Sequence, residues 1–349
     1  MKLSVIVPVY NMAADDKLTW CIDSLIAQTL FSEEKETMEI LAVDDASTDN
    51  SAKILEGYAE RFPKRFRVIH LKENLHQGGA KNAGLRAAQG EWIGFIDADD
   101  WVTKDFYETL LACAEETGAD LAGCDHSLVT THTWETGEVV KDNDASQSGV
   151  LDKEKYKSLL LQTGHLVVKI FKRRILFASG EENVFPEHIF YEDNAVAARF
   201  MLRAKSFAYV ERPMYYYYQH GTSTVHTLTK KNLEDRLTAG RALLKGLKED
   251  GALKDYHDEI EYIFTRLFYV NTLFSAMPAG TRMEDKWGFT KALAQEMART
   301  FPDFQKNPYY LERTDEEEKK LIAMQMRSQL KFYCYYKLLW AYRRLRYKA

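Results

Sequence analysis

Residues 91–102 read EWIGFIDADDWV: an apolar run from Trp92 to Ile96 that ends on three carboxylates, Asp97, Asp99 and Asp100. A short apolar run bounded by polar residues is the pattern of a strand buried on both faces. Carboxylates this close repel one another, and burying one without a counter-charge is costly. Something cationic has to offset them. Two carboxylates one residue apart project from the same side of an extended chain, where they can ligate one hard cation or share it with a diphosphate. Oxygen-only ligands suit Mg2+ or Mn2+. The competing reading is a turn with solvated aspartates, or acids favoured at the start of the next helix.

The flanking sequence favours the first reading by position. Upstream, LSVIVPVY (3–10), MEILAVDD (38–45) and FRVIHL (66–71) read as three more strands. Between them Leu18, Cys21, Ile22, Leu25 and Ile26 keep helical spacing, as do Ser51, Ile54, Leu55, Tyr58, Ala59 and Phe62 within a helix over 47–62. A small-residue helix runs from Gly79 to Gln89, another spans 103–117, and ADLAGCD (119–125) is a fifth strand. Strand and helix alternate five times, which predicts an α/β fold built on a parallel sheet with right-handed crossovers. Ligands bind such sheets at the carboxyl ends of the strands. There lie Tyr10-Asn11, Asp44-Asp45 and the three acids after Ile96.

Farther on, 126–150 is polar and turn-rich, the pattern of an excursion or exposed hairpin. A strand is expected at 165–171 and a helix at 190–203 opening on Glu192-Asp193. RPMYYYYQHGTST (212–224) reads as an aromatic strand, and the pattern is helical from about Leu228 to the end.

Bulk properties exclude several classes. With 349 residues, 46% hydrophobic and 28% charged, the chain can bury a core in two or more domains. A formal net charge of −5 argues against nucleic-acid binding. Four cysteines without CxxC spacing read as reduced packing residues of a cytosolic protein, and no run approaches the about 18 apolar residues of a membrane span.

In VDDASTDNS (43–51), Ser47, Thr48 and Asp49 are accounted for by turn and cap chemistry. Asp45 is not, and a carboxylate facing the crevice there can accept from a nucleobase N–H or a ribose hydroxyl. In NLHQGGAKNAGLRAAQG (74–90), Gly78-Gly79 lets the backbone approach a ligand, and Lys81 adds a cation near a helix start. This stretch fits neither GxGxxG nor the P-loop pattern, so a Rossmann dehydrogenase and a P-loop NTPase are rejected. Glu192 and Asp193 have a bland reading too, as acids at the positive end of a helix.

Taken together, VIVPVYN, VDDASTDNS, GGAKNAGLRAAQGEWIGFIDADDW and YEDN, in this order and spacing, resemble the family 2 glycosyltransferases of the GT-A fold, bacterial cell-surface and capsular polysaccharide type. The resemblance covers 1–125 specifically and extends to about 226. It implies a catalytic domain over 1–226, with a nucleotide-binding half (1–100) and an acceptor half (101–226), followed by a helical region over 227–349. By the same resemblance Pro8, Tyr10 and Asn11 line the nucleotide, Asp45 holds the base, Asp97 contacts the ribose, Asp99 binds the metal and Asp193 is the general base. His220 and Ser223 close over the diphosphate, with Lys81 among the donor contacts. Asp100, Trp101, Lys169 and Glu192 are candidates for the donor or acceptor sugar. The family often has Arg where this chain has Lys81, which keeps the charge but not the planar fork.

The implied reaction is inverting, metal-dependent transfer of a hexosyl or N-acetylhexosaminyl group from a nucleotide sugar, UDP-linked in many relatives, to a hydroxyl of a cell-surface glycan or lipid-linked glycan. A nucleotide-sugar hydrolase and a non-catalytic nucleotide-sugar-binding scaffold are the alternatives. A nucleotidyltransferase fits poorly, because VPVYNMAADD is neither glycine-rich nor basic. The tail stands apart. After Glu318 there is no acid, yet nine Lys or Arg and seven aromatics follow. A basic aromatic helix suits an anionic membrane surface, here the inner face of the plasma membrane; equally, it can dock on its own protein with its lysines snorkelling.

Overall fold

The computed structural model describes residues 1–32, 34, 37–177, 183–219, 228–278 and 280–347. The chain divides into two compact units, Met1–Ser223 and Thr224–Ala349.

The first unit opens with β1 (Leu3–Val9), α1 (Lys17–Ile26), β2 (Met38–Asp44), α2 (Ser51–Arg61), β3 (Phe66–His70), α3 (His76–Ala87) and β4 (Trp92–Phe95). These strands pair in the order β3-β2-β1-β4, all parallel. Every residue of β1, β2 and β4 is buried, which is why their sequences are near-continuous apolar runs rather than alternating ones. The chain reverses its direction of travel across the sheet between β1 and β4. That is a topological switch point, where a crevice forms outside the carboxyl ends.

Past β4 the order is less regular. β5 (Trp101–Val102), α4 (Phe106–Thr117), β6 (Leu121–Val129), β7 (Glu138–Val140), β8 (Gly149–Val150), α5 (Lys153–Leu161), β9 (Lys169–Lys172), α6 (Arg173–Leu176), α7 (Ala197–Arg203) and β10 (Ser206–Tyr218) follow. The sheet continues β4-β9-β6-β10-β5, with β7 on β6 and β8 on β10. β9 runs antiparallel to both β4 and β6, so the sheet is mixed where the alternation predicted parallel strands. The excursion after residue 125 is a hairpin: β6 runs on to Val129 and returns as β7. The return strand β7 is exposed, but the segment after it is not, for Asp142, Asn143 and Gln147 are buried. The helix expected from 190 begins only at Ala197. Glu192 and Asp193 lie in the turns before it, where the Asp193 carbonyl accepts from Val196 and Ala197 N–H.

α3 packs so closely on β1 that a Cβ at Gly84 would lie 2.5 Å from Ile6 Cγ2. Gly78 would meet the Pro186 carbonyl oxygen at 2.0 Å and Gly79 the Leu75 Cβ at 2.2 Å. The glycine pair thus serves contacts within the protein, which corrects the expectation that it admits a ligand.

The second unit is helical: α8 (Lys230–Glu249), α9 (His257–Phe264), α10 (Asn271–Ala276), α11 (Lys286–Thr300), α12 (Pro308–Arg313), α13 (Glu316–Arg327) and α14 (Gln329–Tyr347). A π-helical turn, Thr265–Val270, links α9 to α10. The acidic stretch 315–318 starts α13, where Asp315 accepts from the N–H groups of Glu317 and Glu318. Among the described residues no helix is long and apolar enough to cross a membrane.

Replacing Gly84 by Val should force α3 off β1. We expect a loss of about 1–3 kcal/mol, the usual cost of overpacking, read as a lower urea midpoint at unchanged slope.

Candidate active site

The site is assembled at the carboxyl ends of β1, β2 and β4. After β1, Asn11 takes a left-handed backbone (φ 53°), and its Oδ1 accepts from Thr48 N–H at 2.8 Å and Asp49 N–H at 3.3 Å. Asn11 therefore clamps the β1 loop to the β2 loop. Pro8 is buried within β1, while Tyr10 is 44% exposed beside the clamp.

The two aspartates ending β2 have different work. Asp44 accepts from Ser47 N–H at 3.1 Å and sits 2.9 Å from His70 Nδ1. Asp45 turns to the other side, is buried, and accepts from Leu75 N–H at 2.7 Å. Burial pushes its carboxyl up to about 6, despite the N–H groups that favour the charge.

After β4, the three acids separate in the same way. Asp100 is buried; Tyr215 donates to its Oδ2 at 2.5 Å and Tyr218 N–H to its Oδ1 at 2.8 Å. Its carboxyl is raised well above the usual range by burial and by Asp99 and Asp97. Asp100 thus ties the acidic turn to β10 and is spent as a sugar contact. Trp101 is fully buried, stacked on Tyr216 and donating from Nε1 to the Thr133 carbonyl at 2.9 Å. Its aromatic neighbours, not a ligand, occupy its faces. Asp97 and Asp99 are half-buried at the mouth. Burial pushes Asp97 up to about 6; Lys81 opposes this, and Asp99, Glu192 and Asp193 reinforce it.

One cation does stand near the opening motif: Lys81, which acts on Asp97. It is buried, lies 2.5 Å from the buried Glu192 carboxylate, and sits 5.5 Å from the Phe185 ring centre. Burial works against its charge, but Glu192, Asp97 and Asp193 outweigh burial and hold its pKa above the ordinary lysine value. Glu192 is therefore the lysine's partner. Asp193, half-buried, accepts from Asn194 N–H at 2.8 Å. Its carboxyl is raised by burial and by Glu192, against Lys81 and His165. Asn82 fixes the segment leading to this pair: its Oδ1 accepts from Val184 and Phe185 N–H, and its Nδ2 donates to the Phe185 carbonyl. His220 and Ser223 lie outside the described residues.

One cluster had no signal in the sequence. Asp142, buried, is shared between His126 Nδ1 at 2.5 Å and His165 Nδ1 at 2.6 Å. The three residues come from separate segments with no metal-motif spacing. They could together hold a metal ion. Against that, the carboxylate is already committed to two imidazoles and stands near a buried ammonium. That ammonium is Lys169, fully buried and donating to the His165 carbonyl at 3.0 Å. Burial lowers Lys169 to about 8, with Asp142 opposing. As placed, Lys169 braces the cluster, which corrects the expectation that it reaches a sugar. Bonding to Asp142 raises the His165 pKa, and His165 in turn acts electrostatically on Asp193.

A sequence profile described as glycosyl transferase family 2 matches residues 4–175. The uncharacterized glycosyltransferase YibD of Escherichia coli K12 is 32% identical over 274 residues, 75% of this chain and 76% of its own length. The poly(ribitol-phosphate) beta-glucosyltransferase of Bacillus spizizenii is 29% identical over 228 residues, 62% of this chain and 32% of its own. Residues 1–349 of S. aureus TarS, crystallised in complex with UDP-GlcNAc, match the fold with a TM-score of 0.65 at 20% identity, over 100% of this chain and 93% of that one.

Lys81→Met strands the Glu192 carboxylate in a buried site. Breaking a buried pair costs about 3–5 kcal/mol, so a large fall in unfolding free energy is expected. Adding Glu192→Gln should recover part of it, whereas additive losses in the double-mutant cycle would show that the two side chains do not interact.

Proposed function

From the premise that the chain belongs to glycosyl transferase family 2, we propose that it moves a hexosyl or N-acetylhexosaminyl group from a UDP-sugar to a hydroxyl of a cell-surface glycan, with inversion. The reading is carried by one observation: Asp45, Asp97, Asp99 and Asp193 gather at the sheet's carboxyl end, and Asp45 and Asp97 are held high enough to be neutralised by a ligand. TarS binds UDP-GlcNAc, and the Bacillus spizizenii relative is a glucosyltransferase acting on poly(ribitol phosphate). Both names support a nucleotide-sugar donor and a cell-surface acceptor.

In this mechanism the first unit, Met1–Ser223, is the catalytic domain expected over 1–226. Asp45 accepts from the base N–H, Asp97 accepts from a ribose hydroxyl, and Tyr10, beside the Asn11 clamp, covers the nucleotide. The oxygen donors of Asp99 fit a divalent cation, Mn2+ or Mg2+, better than a softer metal. Bound there, such an ion would stabilise the charge that collects on the departing diphosphate. Asp193 takes the proton of the acceptor hydroxyl as its oxygen attacks the anomeric carbon from the side opposite the diphosphate. Its raised pKa makes it a stronger base than a solvated aspartate. Lys81 holds Glu192 and, through it, the backbone of the turn that presents Asp193. His220 and Ser223 are assigned to the diphosphate. The exposed Trp134, packed at 5.6 Å on Trp20, offers an apolar face to the acceptor.

Calorimetry with UDP, GDP, CDP and dTDP, with and without Mn2+, tests the donor site. Mn2+-dependent preference for UDP is expected, and Asp99→Asn should remove the metal-dependent part. No binding of any nucleotide would favour the scaffold reading. Asp193→Asn should keep UDP binding and lower transfer by about 10²–10⁴-fold; an active variant removes Asp193 from the role of base. A nucleotide-sugar hydrolase would release sugar without any acceptor. UDP binding should also weaken as pH falls through about 6, because Asp45 and Asp97 then gain protons and become poorer acceptors; Asp45→Asn should reduce that dependence, leaving the part due to Asp97.

A further inference from the structure

The tail divides into two faces. On α14, Phe332 is fully buried and Tyr336 nearly so, their rings 5.8 Å apart, with Tyr336 reaching Phe274 at 6.4 Å. Gln329 donates to Thr290 Oγ1 at 2.8 Å, and Tyr333 packs on Trp287. These contacts fix one side of the helix to α10 and α11. On the other side Leu330 is 62% exposed, Leu338 70% and Tyr342 54%, with the exposed Cys334 completing a spacing of four. Residues four apart share a helix face. Tyr335, Lys331 and Lys337 flank this stripe and are exposed too. Both docking on the protein and an exposed surface are therefore present, on opposite sides of one helix.

We propose that this outer face of α14 is a docking surface for an anionic phospholipid membrane, with Leu330 and Leu338 entering the headgroup boundary. Charge selects this occupant. Residues 329–349 carry six Lys or Arg and no Asp or Glu, in a chain whose net charge is −5. An apolar stripe flanked by cations, on a helix that cannot span a bilayer, is the design of an interfacial helix. Anionic headgroups attract such a segment within a Debye length. A second copy of the chain is a poorer occupant, since pairing two such helices brings like charges together. The inference does not depend on the sugar-transfer reading.

Sedimentation of the full chain with phosphatidylcholine vesicles, plain or containing phosphatidylglycerol, tests it. Binding to the anionic vesicles should exceed that to the neutral ones by about tenfold at about 0.1 M salt and fall steeply as salt rises. The double variant Leu330→Glu, Leu338→Glu should lose most of this binding while keeping its circular dichroism and UDP affinity. Three results would overturn the proposal: equal or absent binding to both vesicles, full binding by the folded double variant, or a dimer of the wild-type chain that the double substitution dissociates. Loss of UDP binding with vesicle binding intact would strike the proposed donor site and leave this surface standing.

Discussion

One buried ammonium holds the acidic end of the sheet together. Lys81 stands among Glu192, Asp97 and Asp193, and each of these carboxylates would be costly to bury without it. Its placement explains much of the surrounding architecture. Small residues let α3 lie tight on β1 and against the Pro186 backbone, so that the lysine reaches inward rather than to solvent. Asn82 then grips Val184 and Phe185 from the same helix. Two consecutive side chains of α3 thus set the approach to the turn that carries Glu192 and Asp193.

The same economy governs the acids. In both pairs, Asp44-Asp45 and Asp99-Asp100, one member is consumed by structure. Asp44 holds its own turn and His70, and Asp100 is anchored to β10. The other member, Asp45 or Asp99, also lies past the carboxyl end of its strand, and Asp45 accepts there from Leu75 N–H. Alternation of side chains along an extended backbone makes adjacent residues point apart, so a pair of acids can serve two purposes at one strand end.

The parallel half of the sheet was legible because its strands are buried on both faces and alternate with helices of clear period. Asp45 and Asp97 could be placed because the strand ends were visible. Strand direction past β4 was not legible, since an antiparallel strand needs no crossover helix to announce it. Trp101 and Asp100 were misjudged for a related reason. Their partners, Tyr215, Tyr216 and Tyr218, arrive from more than a hundred residues away, and only the folded register brings them together. The Asp142 cluster had no local pattern at all. Its polarity read as a solvated loop, whereas mutual hydrogen bonding is what lets Asp142, Asn143 and Gln147 be buried.

The β6–β7 hairpin joins that buried anchor to a tip over residues 130–137, where Trp134 is 52% exposed. Anchor and tip obey different constraints. A change at Asp142 disturbs two histidines and the surroundings of a buried lysine, while the tip is tied to the core by its backbone, the Thr133 carbonyl accepting from Trp101 Nε1 and the Trp134 carbonyl from the Tyr216 hydroxyl. Chimeric proteins that exchange 130–137 between relatives would then have to keep these two backbone acceptors, so the exposed side chains of the tip, rather than its length, are the natural unit for redesign or divergence.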